Sequence, residues 1–160
     1  MRFVVDGMLG GLARWLRILG HTVLYDRELD DKNLLDQTRK GMILLTRDEE
    51  LYRRAISKKL PALMVSGRTE SERLAQVSKV WGIRLRIDME TTLCPECGAE
   101  LKDASKEEVS EIVPATSLRI YDRFWHCTNI GCGKVYWMGS HWDHINQTLA
   151  QARRIAGIEL

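Results

Sequence analysis

The sequence predicts an α/β fold, a parallel sheet with helices on both faces, followed by a small ribbon built on paired cysteines. Three observations carry this. The first 88 residues alternate short apolar runs with runs of helical period. Three of the apolar runs end in, or just before, an aspartate: Asp6, Asp26 and Asp48. The four cysteines of the chain stand as two close pairs, Cys94 with Cys97 and Cys127 with Cys132. The predicted boundary separates residues 1–88 from residues 89–160.

Each element follows from local pattern. Arg2–Val5 is a short apolar strand, and Gly7 turns the chain into a helix. Leu9, Leu12, Leu16 and Leu19 recur there at spacings of three and four, which places them on one face. Gly20 ends that helix, and His21–Tyr25 is the second strand. Asp30 or Asp31 caps a second helix that runs through Leu34 and Leu35 to Gly41. Met42–Leu45 is the third strand, and Glu49–Lys59 the third helix. Pro61 breaks the chain before a fourth strand, Ala62–Val65. Ser71–Trp81 is a fourth helix ended by Gly82, and Ile83–Ile87 reads as one more strand. Parallel neighbours need a crossover, so this β-α-β-α-β-α-β order implies a parallel sheet covered by helices. Ligands of such sheets bind beyond the carboxyl ends of the strands.

The second part is short and polar, and a module of that size needs a metal or disulfides to hold together. In Cys94-Pro95-Glu96-Cys97-Gly98 and Cys127-Thr128-Asn129-Ile130-Gly131-Cys132-Gly133, a glycine follows the second cysteine of each pair. That glycine suits the tight turn of a zinc knuckle, because it tolerates positive φ. Four converging thiolates make a closed, structural zinc site. A thioredoxin-like role for Cys94-Pro95-Glu96-Cys97 is the weaker reading, since the pair lies outside the βαβ region. His126, His141 and His144 flank the ribbon and are alternative ligands or plain structural groups. Leu118–His126 leads into the second knuckle, Val135-Tyr136-Trp137 is the strand after it, and Ser140 is placed to cap a last helix, His141–Ala156.

The chain opens directly on Met1-Arg2-Phe3-Val4, without room for a signal peptide, and no apolar run has transmembrane length. The expected location is the cytoplasm, with no membrane partner. Thiols stay reduced there, which favours metal over disulfides. The net charge of +2 alone identifies no partner. Residues 1–90 hold 17 Lys and Arg against 13 Asp and Glu, so the positive surplus belongs to the sheet-bearing part.

Asp6, Asp31 and Asp48, with Glu50 nearby, gather at one end of the predicted sheet. Carboxylates crowded in one cleft repel unless a cation sits among them. Their hard oxygens suit Mg²⁺ or Mn²⁺, and such a site activates water and steadies a phosphodiester. The competing reading is simpler: aspartates at these positions cap helices. Neither a Gly-x-Gly-x-x-Gly after the first strand nor a Walker-type lysine loop is present, which counts against nucleotide sites.

The string Val5-Asp6-Gly7-Met8-Leu9-Gly10-Gly11-Leu12-Ala13-Arg14-Trp15-Leu16-Arg17-Ile18-Leu19-Gly20 resembles the opening of the Mut-seven C-terminal RNase family. Leu44-Leu45-Thr46-Arg47-Asp48 resembles its second signature. Gly133-Lys134-Val135-Tyr136-Trp137 and Gly139-Ser140-His141-Trp142 resemble its closing one. The resemblance implies a PIN-like nuclease domain at 1–88, followed by a zinc ribbon with a C-terminal helix at 89–160. It implies RNA as substrate and Mg²⁺ or Mn²⁺ at Asp6 and Asp48, with Asp31 and Glu50 as further catalytic acids. The chain departs from the pattern at its second knuckle, Cys-x₄-Cys where Cys-x₂-Cys is usual.

Several residues carry two readings. Arg14 and Arg17 lie beside the predicted cleft and either hold phosphates or are solvated. Arg47, between Thr46 and Asp48, is placed to meet a scissile phosphate. The Thr46 hydroxyl either orients a carboxylate or water, or Thr46 simply favours a strand. Trp15 lies one position off the leucine stripe, which favours packing. Tyr136, Trp137 and Trp142 either stack on bases or form the ribbon's core. The leading expectation is a metal-dependent ribonuclease whose ribbon docks RNA, a ribosome or another protein. The rivals are a non-catalytic RNA- or ribosome-binding zinc-ribbon module and a scaffold that holds a protein partner.

Overall fold

A computed structural model describes residues 1–158. The first part is the expected α/β body. Its strands are β1 (Arg2–Val5), β2 (Thr22–Tyr25), β3 (Ile43–Thr46) and β4 (Ala62–Met64), all parallel, in the order β2-β1-β3-β4. Its helices are α1 (Gly10–Ile18), α2 (Asp31–Arg39), α3 (Glu49–Ser57) and α4 (Glu70–Trp81). A 3₁₀ turn, Gly7–Leu9, precedes α1, so the helix starts three residues later than the leucine stripe implied.

Alternation along β1 sorts the helices between two faces. Phe3 and Val5 point into one core with Leu12 and Leu16 of α1 and Leu74 and Val77 of α4. Val4 points the other way, with Leu34 and Leu35 of α2 and Leu51 and Ala55 of α3. A strand buried on both faces has no polar alternation, which is why Phe3-Val4-Val5 reads as a continuous apolar run.

Residues 83–87 form no strand; the sheet ends at β4. Ile83 and Leu85 are buried in the first core while Arg84 and Arg86 face solvent, so the alternation is real. It reflects one side packed on helices, and the Leu85 carbonyl accepts from Arg153 Nη1 at 2.6 Å instead of from a strand.

The second part holds an antiparallel sheet of β5 (Leu101–Ala104), β6 (Phe124–Cys127) and β7 (Val135–Tyr136), in that order. Two short helices, α5 (Lys106–Val109) and α6 (Ala115–Ile120), separate β5 from β6. The polar stretch 102–111 therefore carries structure, with Ser105 and Glu108 forming a capping box on α5. The core here is small: Val109, Val113 and Phe124, with Trp137 packed on Phe124 at 6.1 Å between ring centroids. Trp137 is thus core, and Trp15 packs against the first core as expected.

The last helix, α7 (His141–Ala156), returns to the first part. It packs on α4, and its Leu149 and Ala152 are buried in the core of the parallel sheet. Ser71 Oγ donates to the Thr148 carbonyl at 3.0 Å. Ser140 makes no side-chain cap bond, although the helix begins right after it.

Arg17 ties the two parts together. Only 6% of it is exposed, and its guanidinium donates to the carbonyls of Pro95 (3.2 Å), Glu96 (3.2 Å) and Val23 (3.1 Å). Leu93 N also donates to the Arg17 carbonyl at 3.0 Å. Arg17→Met keeps the stem but leaves three carbonyls without this donor, so it should cost about 3 kcal/mol or more. Urea melts of the two proteins check this, with a clear fall in midpoint expected.

Candidate functional site

The strand order places a switch point between β1 and β3. From β1 the chain moves outward to β2, then crosses back to β3 on the other side of β1. The two crossover helices lie on opposite faces, so a crevice opens at the carboxyl ends of β1 and β3. Asp6 leaves β1 there, and Thr46-Arg47-Asp48 leaves β3. Asp6 N donates to the Leu45 carbonyl at 3.0 Å, which fixes the two strand ends together.

A hydrogen-bond chain runs across the crevice. Thr46 Oγ1 donates to Asp6 Oδ2 at 2.7 Å and accepts from Asp48 N at 3.0 Å. Thr46 is fully buried, so its hydroxyl orients a carboxylate. Asp6 Oδ1 accepts from Met8 N at 2.9 Å, and Asp48 Oδ1 accepts from Glu50 N (2.9 Å) and Leu51 N (3.1 Å). Both aspartates are therefore caps as well. Capping engages one oxygen of Asp48, Oδ1. Replacing Thr46 by Val keeps the shape and removes the hydroxyl. Thr46→Val should cost about 1–3 kcal/mol in chemical denaturation, while Thr46→Ser should recover most of it.

Asp31 opens α2, and Asp30, one residue earlier, makes the cap bond to Asn33 N at 2.8 Å. Arg54 of α3 pairs with Asp31 at 3.5 Å. Burial and the neighbouring Asp48 hold the Asp31 carboxyl above its ordinary range, Arg54 opposes them, and Asp6 and Glu50 add to the rise. The four acids thus share one field, with Glu50 exposed at the first turn of α3. Their ligand oxygens do not close into a tight cluster; among the described residues the four cysteines alone do.

The sign of the Asp31 shift fixes a pH dependence. Ionising Asp31 costs the folded state more than the unfolded one. That penalty is absent below the unfolded pKa and complete above the folded one. Asp31→Asn should therefore raise Tm at pH 7 by about 1–2 °C, and the gain should vanish as pH falls towards 3. Thermal melts of both proteins from pH 3 to pH 7 check it.

The arginines expected beside the cleft separate. Arg17 is buried and holds the knuckle, as described. Arg14 is exposed and pairs with Glu96 of the first knuckle. Arg47 is exposed, and its Nη1 donates to the Gly67 carbonyl at 3.0 Å. Arg73 Nε donates to the same carbonyl at 2.9 Å, so two arginines pin the loop after β4 beside the crevice. Sequence reasoning missed Arg54 and Arg73. Arg54 meets Asp31 only through helix packing, and Arg73, which also pairs with Glu70 one turn back, reaches Gly67 only through loop closure.

The cysteines converge. Their four sulfurs lie within 4.8 Å of one another, with Cys94 to Cys132 at 3.8 Å and Cys97 to Cys127 at 3.5 Å. A tetrahedron with metal–sulfur bonds of about 2.3 Å has edges of about 3.8 Å, so the four sulfurs fit zinc. The longer Cys-x₄-Cys loop is accommodated by a turn in which Cys132 N and Gly133 N both donate to the Asn129 carbonyl, at 3.0 and 2.9 Å. Gly98 and Gly133 take φ of +80° and +63°, where a side chain is disfavoured. His126 Nε2 lies 3.1 Å from the Gly133 carbonyl and is no part of the sulfur cluster. The Tyr136 hydroxyl lies 3.1 Å from Cys94 Sγ. Burial, then Cys94, push its phenol well above the ordinary value. No described helix is long and apolar enough to cross a membrane.

A family model described as "Mut7-C RNAse domain" matches residues 1–149, spanning the α/β body, the cysteine ribbon and the first half of α7. Comparison with curated proteins and with solved structures returns no match.

Proposed function

The chain belongs to the Mut7-C RNAse domain family, and from that premise we propose that it hydrolyses RNA phosphodiester bonds with Mg²⁺ or Mn²⁺ at the β1–β3 crevice. The family points to ribonuclease chemistry and to RNA as substrate. The observation that carries the site is the bond from Thr46 Oγ1 to Asp6 Oδ2, continued to Asp48 N, at the topological switch point. It fixes the Asp6 carboxylate beside the Asp48 backbone at the ends of adjacent strands, and the Asp48 carboxylate is held in turn by Glu50 N and Leu51 N.

Asp6 and Asp48 would hold the divalent cation, with Asp31 and Glu50 in support. Bound there, the metal would lower the pKa of a water and offset charge on the phosphodiester. Asp6 is oriented by donors at both oxygens. Asp31, whose carboxyl binds its proton more firmly than usual, is suited to accept one from the attacking water. Arg14 supplies a phosphate contact, and Arg47 acts by pinning the loop at Gly67.

In this reading residues 1–88 are the PIN-like nuclease domain and residues 89–160 the zinc ribbon with α7 docked back on α4. The zinc is structural, because four thiolates leave no open position. A cytoplasmic location fits four unpaired thiols. The test is incubation of zinc-loaded protein with single-stranded RNA and Mn²⁺, with and without excess chelator added at the start. Chelator-sensitive cleavage is the expected result. No metal-dependent cleavage across a broad RNA panel would replace the enzyme with a binding module.

A further inference from the structure

A second cleft opens beside the Asp6 loop, between α1 and the first knuckle. It measures about 370 Å³, and Arg14, Tyr25, Arg27 and Glu96 line it over Gly10 and Gly11. Its near end lies against the loop that follows Asp6, where the Arg27 backbone closes on Gly7. The Tyr25 hydroxyl donates to the carbonyl of Gly7, next to Asp6, at 2.9 Å, and Arg27 Nε donates to Tyr25 Oη at 3.4 Å. Its far end is the ribbon. There the Glu96 carboxylate sits between Arg14 and Lys134, whose Nζ is 3.7 Å away. Arg14 and Lys134 come from different modules, and each side chain is 55% exposed.

Arg27, Arg14 and Lys134 thus form a row from the Asp6 loop to the second knuckle. Among the described residues that line the cleft, Glu96 is the one carboxylate. A carboxylate held between two exposed cations takes the place that a phosphate oxygen of the same charge would take. Exposed ion pairs of this kind add little stability, so the exchange is easy. Arg17, buried beneath, fixes the knuckle on α1 through the Pro95 and Glu96 carbonyls, so the row is preorganised. We propose that this row is the track for the backbone of single-stranded RNA running from the acid crevice to the ribbon, with Glu96 as a displaceable placeholder on it. The proposal rests on the ribonuclease reading and deepens it: the ribbon takes part in substrate binding through Lys134, and Glu96 weakens that binding until phosphate displaces it.

The test measures binding of a fluorescein-labelled 2′-O-methyl oligouridine, which cannot be cleaved, to the full zinc-loaded chain without added Mg²⁺ or Mn²⁺. Glu96→Gln should tighten binding about three- to tenfold by fluorescence anisotropy, since it removes the competing charge. Arg27→Ala and Lys134→Ala should each weaken it by a similar factor and reduce the slope of log affinity against log salt by about 0.7. Arg86→Ala, an exposed residue in the segment after α4 and outside the cleft, should bind like wild type. Glu96→Gln binding at or below wild-type affinity, with zinc content and Tm unchanged, overturns the proposal. Should Glu96→Gln lose zinc, wild-type affinity in both Arg27→Ala and Lys134→Ala overturns it instead. Oligoglutamate binding as tightly as the oligouridine also overturns it, because the row would then read charge alone. Binding is read without cleavage, so the two readings fail separately. Track effects without cleavage of ordinary RNA reject the nuclease, and metal-dependent cleavage without track effects rejects the track.

Discussion

Asp48→Asn should lower the rate of RNA cleavage by about 10²–10⁴-fold and leave RNA binding in place. The substitution is clean for a structural reason. Asp48 caps α3 through Oδ1, which accepts from Glu50 N and Leu51 N. Asparagine caps a helix as well as aspartate, so the fold keeps its bond. What is lost is the negative charge on the side chain, and with it the affinity for a hard cation. Calorimetry should show weaker Mn²⁺ binding in Asp48→Asn and weaker still in the Asp6→Asn, Asp48→Asn double variant. Equal Mn²⁺ affinity in wild type and double variant would reduce both residues to helix caps. Undiminished cleavage by the double variant would identify a contaminating nuclease.

Replacing all four cysteines by serine should unfold the ribbon and lower the stability of the α/β body with it. Apart from its cysteines, the ribbon buries few apolar side chains: Val109, Val113, Phe124 and Trp125. That is too little apolar surface to offset chain entropy over such a length. Structural zinc supplies about 10–16 kcal/mol in comparable small modules. The effect spreads through Arg17, whose guanidinium loses two of its three carbonyl acceptors when the first knuckle opens. A buried cation left without acceptors is costly. Elemental analysis of freshly purified, reduced protein should find about one zinc per chain, as a closed four-thiolate site requires. Near-UV circular dichroism from Trp125 and Trp137 should be lost in the four-serine variant. A variant that keeps this signal and its melting midpoint would overturn the zinc assignment.

What the sequence determined by itself is what local chemistry controls. The period of the leucines placed α1, and continuous apolar runs placed the strands of a sheet buried on both faces. Aspartates at strand ends marked the edge where a site would form, and cysteine spacing marked the knuckles. Each of these depends on neighbours within a few residues. The family resemblance, carried by three separated motifs, agrees with the family match across residues 1–149. The tertiary structure decided the rest. Whether Ile83–Ile87 pairs in a sheet depends on what lies beside it, and helices lie there. Alternation records burial on one side and is blind to its partner. Arg17 reads as a cleft cation beside Arg14, yet Arg17 is buried on the knuckle carbonyls while Arg14, one turn away on the same helix, meets the Glu96 carboxylate at the surface. The pairing of Asp31 with Arg54, the hydroxyl of Thr46 on Asp6, and the return of α7 to the first core join residues far apart in the chain. No local pattern encodes such contacts, because they exist only once sheet order and helix packing have brought the segments together.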